Sequence, residues 1–138
     1  MRLPREGRKG RTPAWPLDLS VPAELDLWRK LWRRPQAVMW DKLHLHLQVA
    51  AYVRAFIEST RMPMTDDEGK YIPGASAGLK TAVLRMEAEL GLSTVGMNQL
   101  RWIIVDDELA ERRAEAPPAP TQDVAAPSSP RRDRLRAV

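Results

Sequence analysis

The residues best suited to chemistry are basic side chains gathered at the start of the 138-residue chain. Five of the first thirteen residues are basic, with Glu6 as the one acid among them; the five are Arg2, Arg5, Arg8, Lys9 and Arg11. A second basic run, residues 131–136, lies near the other end of a chain whose formal net charge is +4. Segments of this kind attract anionic partners. The alternative is that both ends only keep the protein soluble.

Other constellations do not support an enzyme or a metal site. Residues 74–81 faintly resemble a phosphate-binding loop, but the glycine spacing is wrong and no buried strand precedes it. His44 and His46, two positions apart on a helix, point in nearly opposite directions and cannot share one ion. The acidic runs 66–68 and 106–108 are expected to be solvated. Because cysteine and a Ser/His/Asp arrangement are absent, we expect no catalytic residue, no metal and no cofactor.

A rival candidate for DNA contact follows Gly91. A helix ending before this glycine, a short corner and a second helix have the outline of a helix-turn-helix. In that arrangement four residues would face DNA: Thr94, Asn98, Gln99 and Arg101. Two helices around a glycine corner are common in any helical protein, and the apolar run 103–105 indicates burial. The basic arm and this helix therefore remain alternative DNA-binding sites.

Apolar spacing and helix-breaking residues predict an all-α domain of about four helices. The first starts near Pro22, and its C-terminal residues Arg33 and Arg34 precede Pro35. A long central helix follows at residues 36–60, and two more helices are predicted at residues 76–90 and 95–116. Residues 61–76, with two prolines and two glycines, are predicted to be a loop.

The central helix is the predicted oligomer interface. It carries two apolar stripes turned about 100° from one another, which is more apolar surface than one neighbour can cover in a small monomer. We therefore expect other copies of the chain to cover it, in a cyclic homo-oligomer. Six residues form the predicted interface: Met39, Leu43, Leu45, Val49, Tyr52 and Phe56.

The two ends are predicted to lie outside the packed core. Residues 1–20 contain several prolines and glycines and predict a basic, extended or disordered arm. Residues 21–116 predict the helical core and oligomerisation domain, and residues 117–138, rich in Pro, Ala and Arg, predict a disordered tail. No signal peptide is visible and no apolar run approaches membrane-spanning length, so we expect a soluble, intracellular protein.

Three stretches together resemble the small terminase subunit of tailed double-stranded-DNA bacteriophages, especially those that infect actinobacteria. They are residues 3–13 (LPREGRKGRTP), residues 27–40 (LWRKLWRRPQAVMW), and residues 90–94 (LGLST) leading into 100–102 (LRW). The resemblance implies a non-enzymatic subunit that forms rings, binds viral DNA and delivers it to the large subunit, which carries the packaging ATPase and nuclease. It also implies action in the cytoplasm of the infected bacterial host.

Two other classes of function stay open beside this one. The first is a helix-turn-helix transcriptional regulator, which would be a small dimer on a short palindrome. The second is a structural helical assembly protein, which would show no salt-sensitive DNA binding. A packaging adaptor would instead be a larger closed ring, in which the N-terminal arm supplies much of the DNA affinity and the C-terminal tail serves the large subunit.

Overall fold

A computed structural model describes residues 1–106 of the chain. In chain order its elements are β1 (Arg2–Pro4), α1 (Pro22–Leu31), α2 (Ala37–Lys42), α3 (His46–Ser59), β2 (Met64–Thr65), β3 (Tyr71–Ile72), α4 (Ala77–Glu89), α5 (Thr94–Gln99) and β4 (Ile103–Val105). β1 pairs in parallel with β4, and β2 pairs in antiparallel fashion with β3. The expected all-α class is therefore wrong, because helices and two small sheets share the described part of the chain.

Helix α1 begins where the sequence predicts it. Pro22 occupies the first turn. Backbone N–H groups in that turn have no acceptor within the helix, so the absence of an N–H on proline costs no helical hydrogen bond. The Glu24 carboxylate accepts a hydrogen bond from the Val21 N–H at 3.1 Å. Trp28 and Leu31 lie on the buried side of the helix. One apolar side facing the core is what the spacing of these residues indicates.

The predicted central helix, residues 36–60, is two helices, α2 and α3, with a break at residues 43–45. At the break His44 has a φ of 55°, and the Leu45 N–H donates to the Trp40 carbonyl oxygen at 2.8 Å. Val49 lies nine positions after Trp40. On one straight helix, at 100° per residue, their side chains would point about 180° apart. Both side chains are 0% exposed. The break turns both toward the same core.

The prediction of a fourth helix at residues 95–116 is also wrong. Helix α5 ends at Gln99, Arg101 has a left-handed φ of 54°, and residues 103–105 form β4. Three consecutive β-branched residues favour the strand, and β1 supplies the partner. The rest of that prediction, residues 107–116, and the predicted disordered tail, residues 117–138, lie outside the described residues.

The N-terminal arm is packed against the body and is not a disordered tail. Leu3 in β1 is 0% exposed. The Trp28 Nε1 donates to the Pro13 carbonyl oxygen at 2.8 Å, and the Trp15 ring meets the Trp28 ring edge to face with centroids 5.3 Å apart. The arm lacks any helical or alternating period, but its few apolar residues complete the core.

Four tryptophans contact one another in series through the core. Trp15, Trp28, Trp32 and Trp40 form edge-to-face pairs with centroid distances of 5.3, 5.2 and 6.0 Å, a favourable geometry for aromatic rings. The Trp40 Nε1 also donates to the Leu90 carbonyl oxygen at 2.9 Å, which joins α2 to the end of α4. None of the described helices combines the length and apolar character needed to cross a membrane.

The segment predicted as a loop contains a short hairpin, β2–β3. Its turn is specified by Asp66, whose Oδ1 accepts hydrogen bonds from the backbone N–H groups of Glu68 at 3.1 Å and Lys70 at 2.8 Å. Gly69 has a φ of 80°, which glycine adopts without steric cost. Asp at the start and Gly at the end are typical turn residues, so the hairpin is encoded locally.

Gly7 lies where the arm crosses the end of α1, and this close approach is testable. Its φ is +80°, and a Cβ there would lie 1.9 Å from the Arg33 carbonyl oxygen. Gly69 has the same φ of +80° but no atom within 4 Å of a Cβ. We expect Gly69→Ala to lower the free energy of unfolding by about 1 kcal/mol, the left-handed cost alone, and Gly7→Ala by about 2 kcal/mol more. Equal losses in urea unfolding would mean that the arm does not pack here.

Buried Glu24 should make stability depend on pH. The Arg54 Nε donates to the Glu24 Oε1 at 2.9 Å, and this hydrogen bond holds the pKa of Glu24 below its ordinary 4.5, although burial opposes the shift. A carboxyl with a lowered folded-state pKa stabilises the fold above its unfolded pKa and loses that contribution as the pH falls through its folded pKa. We therefore expect Glu24→Gln to be less stable than wild type at neutral pH. The gap should narrow as the pH falls below 4.5; urea titrations that show a pH-independent gap would contradict this.

Candidate nucleic-acid interface

The pairing of β1 with β4 brings the two rival DNA-binding sites together. Arg2 is the register partner of Ile103, and the Met1 nitrogen donates to the Arg101 carbonyl oxygen at 2.6 Å across 100 positions of sequence. The start of the arm therefore lies beside the residues that follow α5. Arg2 of the first candidate site and Arg101 of the second are therefore neighbours, and no spacing in the sequence indicates this pairing.

One face of the β1–β4 sheet points to solvent. Register partners project from the same side of a sheet, and successive residues of a strand project from opposite sides. Arg2 and Ile103 therefore share one face, and Leu3 projects from the other. Because Leu3 is 0% exposed and Ile103 is 61% exposed, the face with Arg2 is the outer one. Met1 and Arg101 beside it are also exposed. We name Arg2, Arg101 and Ile103 the basic sheet face.

Arg5, just after β1, is paired with a carboxylate. Its Nη1 donates to the two carboxylate oxygens of Asp106 at 2.8 and 3.0 Å, and this hydrogen bond raises the pKa of Arg5. The two side chains are 73% and 52% exposed, so solvent screens the pair and its contribution to stability is small. A phosphate offers the same kind of anionic oxygen acceptor and can compete with Asp106 for the guanidinium.

Arg8 is held within the fold, in contrast to its neighbours in the arm. Its Nε donates to Oδ2 of Asp41 at 3.0 Å, and its Nη1 donates to the Arg11 carbonyl oxygen at 2.8 Å. Its guanidinium carbon lies 5.6 Å from the centroid of the Trp32 ring, a cation–π distance. The side chain is only 17% exposed. These interactions fix the arm on the body.

The remaining arm cations are exposed. The Lys9 Nζ lies 3.7 Å from a Glu6 carboxylate oxygen, a long surface pair of little strength. Within residues 1–106, Arg2 and Arg11 form no salt bridge. Arg2, Lys9 and Arg11 are therefore open to an anionic partner, while Arg5 is shared with Asp106.

Two further exposed arginines, Arg33 and Arg34, lie where the arm crosses the end of α1 and were not recognised from the sequence as candidates. The sequence indicates Arg33 and Arg34 only as the C-terminal residues of the first helix. The structure places the Gly7 backbone against the Arg33 carbonyl group, so the arm crosses directly beside these two exposed residues. The available signal was Gly7 itself, because glycine allows two backbones to approach closely.

The helix-turn-helix outline is present, but its second helix is short. Gly91 has a φ of 68°, and the Ser93 Oγ accepts a hydrogen bond from the Gly96 N–H at 3.0 Å, which caps α5. A Cβ on Gly96 would lie 2.2 Å from the Ala88 carbonyl oxygen, so α5 packs tightly on α4. Helix α5 has six residues, about 9 Å of length. Its exposed polar residues are Thr94, Asn98 and Gln99.

The histidines, the acidic residues within residues 1–106 and residues 74–81, which the sequence raised as possible sites, have structural roles or lie in solvent. Among residues 1–106, no group of His, Asp and Glu side chains is arranged to hold a metal ion. The His46 Nε2 lies 3.5 Å from Oδ1 of Asp41, and His44 is exposed in the break between α2 and α3. Residues 74–81 contain the start of α4, where the Ser76 Oγ accepts a capping hydrogen bond at 3.1 Å.

The six residues predicted as an oligomer interface lie in different surroundings. Val49 and Tyr52 are buried within the chain itself, and the Tyr52 Oη donates to the Glu87 carboxylate at 2.9 Å. Leu43 is 52% exposed. Three residues are partly buried against the core: Met39, Leu45 and Phe56. Leu43 therefore has most of its surface available to a partner, whereas Val49 and Tyr52 serve the monomer fold.

Neighbouring basic residues of the arm should respond differently to substitution. We expect Arg8→Ala to lower the free energy of unfolding by about 1–2 kcal/mol, because it removes charge-assisted hydrogen bonds from a mostly buried site. Lys9→Ala serves as the matched control and should leave stability unchanged, since its side chain is 86% exposed. Urea unfolding gives the stabilities, and protease cleavage within the arm reports its docking. Equal effects of the two changes would contradict the structural role of Arg8.

Comparisons of the chain with protein-family models, with curated proteins and with solved structures find no match. The arrangement of the arm, the end of α1 and the residues after α5 is therefore the basis on which a function can be proposed.

Proposed function

We propose that the protein is a DNA-packaging adaptor of the small-terminase type. It self-assembles, binds viral double-stranded DNA and delivers it to a large subunit that carries ATPase and nuclease activity. The observation that carries the DNA-binding part is the basic sheet face, where Arg2 of the arm and Arg101 after α5 are exposed on adjoining stretches of backbone. Of the three stretches that resemble small terminase subunits, the third includes Arg101 and the first begins directly after Arg2.

The chemistry of this surface suits the phosphate backbone of DNA. Phosphate contacts need several exposed cations that can reach one strand, and Arg2, Lys9, Arg11 and Arg101 are all exposed. The guanidinium group donates in a planar fork that matches a phosphate. Such contacts position DNA without reading its sequence, which agrees with an adaptor. The short α5 supports this view over a repressor that relies on one recognition helix.

Exposed apolar surface supports the self-association that the proposal includes. Leu43, Leu47 and Leu84 are 52%, 57% and 66% exposed. A groove of about 250 Å³ between α3 and α4 adds to this surface. Its apolar lining consists of Leu45, Ala51, Met86 and Leu90. In a ring each subunit contributes one basic arm, so weak phosphate contacts accumulate by avidity.

The remaining parts of the proposal concern the cellular location of the protein and its contact with the large subunit. The protein acts in the cytoplasm of the infected bacterial host, where viral DNA is packaged. Residues 117–138, outside the described part of the chain, are proposed to engage the large subunit through their basic end.

The DNA-binding part is tested by removing the two arginines of the basic sheet face. We expect Arg2→Ala/Arg101→Ala to bind double-stranded DNA more weakly and with a shallower salt dependence. The slope of log K against log salt should fall in magnitude by about 0.9 for each phosphate that a chain no longer neutralises. Titrations at several salt concentrations give the slope, and light scattering gives the mass. The matched control is Lys80→Ala/Arg85→Ala, which removes two cations from exposed positions of α4.

Three outcomes would contradict the proposal. Equal weakening by the control would assign binding to net charge rather than to the basic sheet face. A wild-type chain that stays monomeric at micromolar concentration and binds no DNA would remove the adaptor function. A stable dimer that requires one short palindrome would favour the transcriptional regulator.

A further inference from the structure

We infer that the β2–β3 hairpin of one copy docks on the basic sheet face of a second copy. The hairpin, residues 62–72, is exposed over most of its length, bears large exposed apolar side chains and carries acidic residues at its tip. The inference concerns how copies associate and so rests on the self-association in the proposed function.

The hairpin is a formed element that projects from the body. Every residue from 62 to 71 except Asp66 is exposed. The Asp66 N–H donates to the Lys70 carbonyl oxygen at 3.0 Å, and the Gly69 N–H donates to the Asp66 carbonyl oxygen at 3.0 Å. At its base the Ala75 N–H donates to the Arg61 carbonyl oxygen at 3.1 Å. The turn is thus built by its own residues, so its charges are held at a defined position.

Apolar side chains along the hairpin lack cover. A two-stranded hairpin is marginally stable in water without a third strand or a helix against it, and these strands have two residues each. Met62, Met64 and Tyr71 are 76%, 56% and 66% exposed. Met64 lies on the face of the hairpin with its register partner Ile72, and Tyr71 lies on the other face with Thr65. Exposed large apolar side chains on a projecting element indicate a contact surface for another molecule.

The charges at the tip identify the kind of surface that fits. Asp66, Asp67 and Glu68 stand against a single cation, Lys70. The Asp66 carboxylate is used by the turn. Within residues 1–106, Asp67 and Glu68 form no salt bridge. A binding surface complementary to the hairpin would therefore carry cations beside an apolar area.

The basic sheet face has this composition. Ile103 is 61% exposed and supplies the apolar area. Arg2 and Arg101 supply two exposed cations, which equal the two tip carboxylates in number and are opposite to them in sign. Complementary charge of this kind steers association and fixes the register of an interface.

The arrangement of the elements assigns the two surfaces to different copies. The hairpin precedes the N-terminal end of α4, whereas the basic sheet face follows its C-terminal end through α5. Helix α4 has 13 residues, about 20 Å of length, so the tip of a hairpin and the face of its own chain lie at opposite ends. The association between copies is heterologous, and interfaces of this type form a ring when the rotation between copies closes and an open filament when it does not. DNA competes for the same Arg2 and Arg101.

Charge reversal tests the docking. Asp67→Lys/Glu68→Lys reverses the tip while keeping Asp66 and Gly69, which form the turn. We expect self-association without DNA to weaken at least tenfold, with helix content unchanged by circular dichroism; light scattering over a concentration series gives the association constant. Adding Arg2→Glu/Arg101→Glu to the same chain should restore association, because the reversed surfaces attract again.

A matched second reversal and a separate DNA assay complete the experiment. Lys80→Glu/Arg85→Glu on α4, added instead of the reversal on the basic sheet face, should not restore association. Undiminished association of the tip variant, or no restoration by Arg2→Glu/Arg101→Glu, overturns the inference alone. A wild-type chain that is monomeric at every concentration overturns both the inference and the proposed self-association. The tip variant keeps Arg2 and Arg101, so its DNA titration tests the DNA-binding part independently.

Discussion

Burial of Trp32 and Trp40 among the helices constrains most of the remaining structure. Trp40 donates to the Leu90 carbonyl oxygen at 2.9 Å, so α2 must meet the end of α4, and the chain breaks before α3 to allow this. Beside Trp40, the Gln36 Nε2 donates to the Gly91 carbonyl oxygen at 3.1 Å. The arm completes the enclosure, because Arg8 lies over the Trp32 ring. A basic segment that would otherwise be solvated is thereby held against the helices.

Helices with a single apolar side could be predicted from the sequence, and α1 and α4 begin close to their expected positions. The central segment could not, because it is apolar on two sides and the sequence alone does not tell which side meets the core at which residue. Trp40 and Val49 needed a common core, and only the tertiary structure shows that a break meets this need. Strands of two or three residues are too short to show an alternating pattern. β1 and β4 therefore could not be predicted from the sequence, and only their pairing in the structure identifies them as strands.

The candidate site was predictable in its residue types but not in their roles. A count of basic residues treats Arg8 and Lys9 alike, whereas the structure gives Arg8 a carboxylate 33 positions away and leaves Lys9 in solvent. The same holds for Arg2 and Arg101, which composition assigns to rival sites and the sheet makes neighbours. Long-range pairing decides which cations are used by the fold. What remains exposed determines the surface that a partner meets.

The closure of the described chain by its first and last strands also bears on the order of its folding. Arg5 and Asp106, which pair in the folded protein, are 101 positions apart, so β1 leaves the ribosome long before its partner exists. Helices α1 to α4 rely on nearer neighbours and can form earlier, whereas a pairing of this sequence separation forms late. During that interval Leu3 is in water and Arg5 has no carboxylate partner. Before β4 pairs with β1, the segment around Arg5 is therefore more strongly basic than it is in the folded protein.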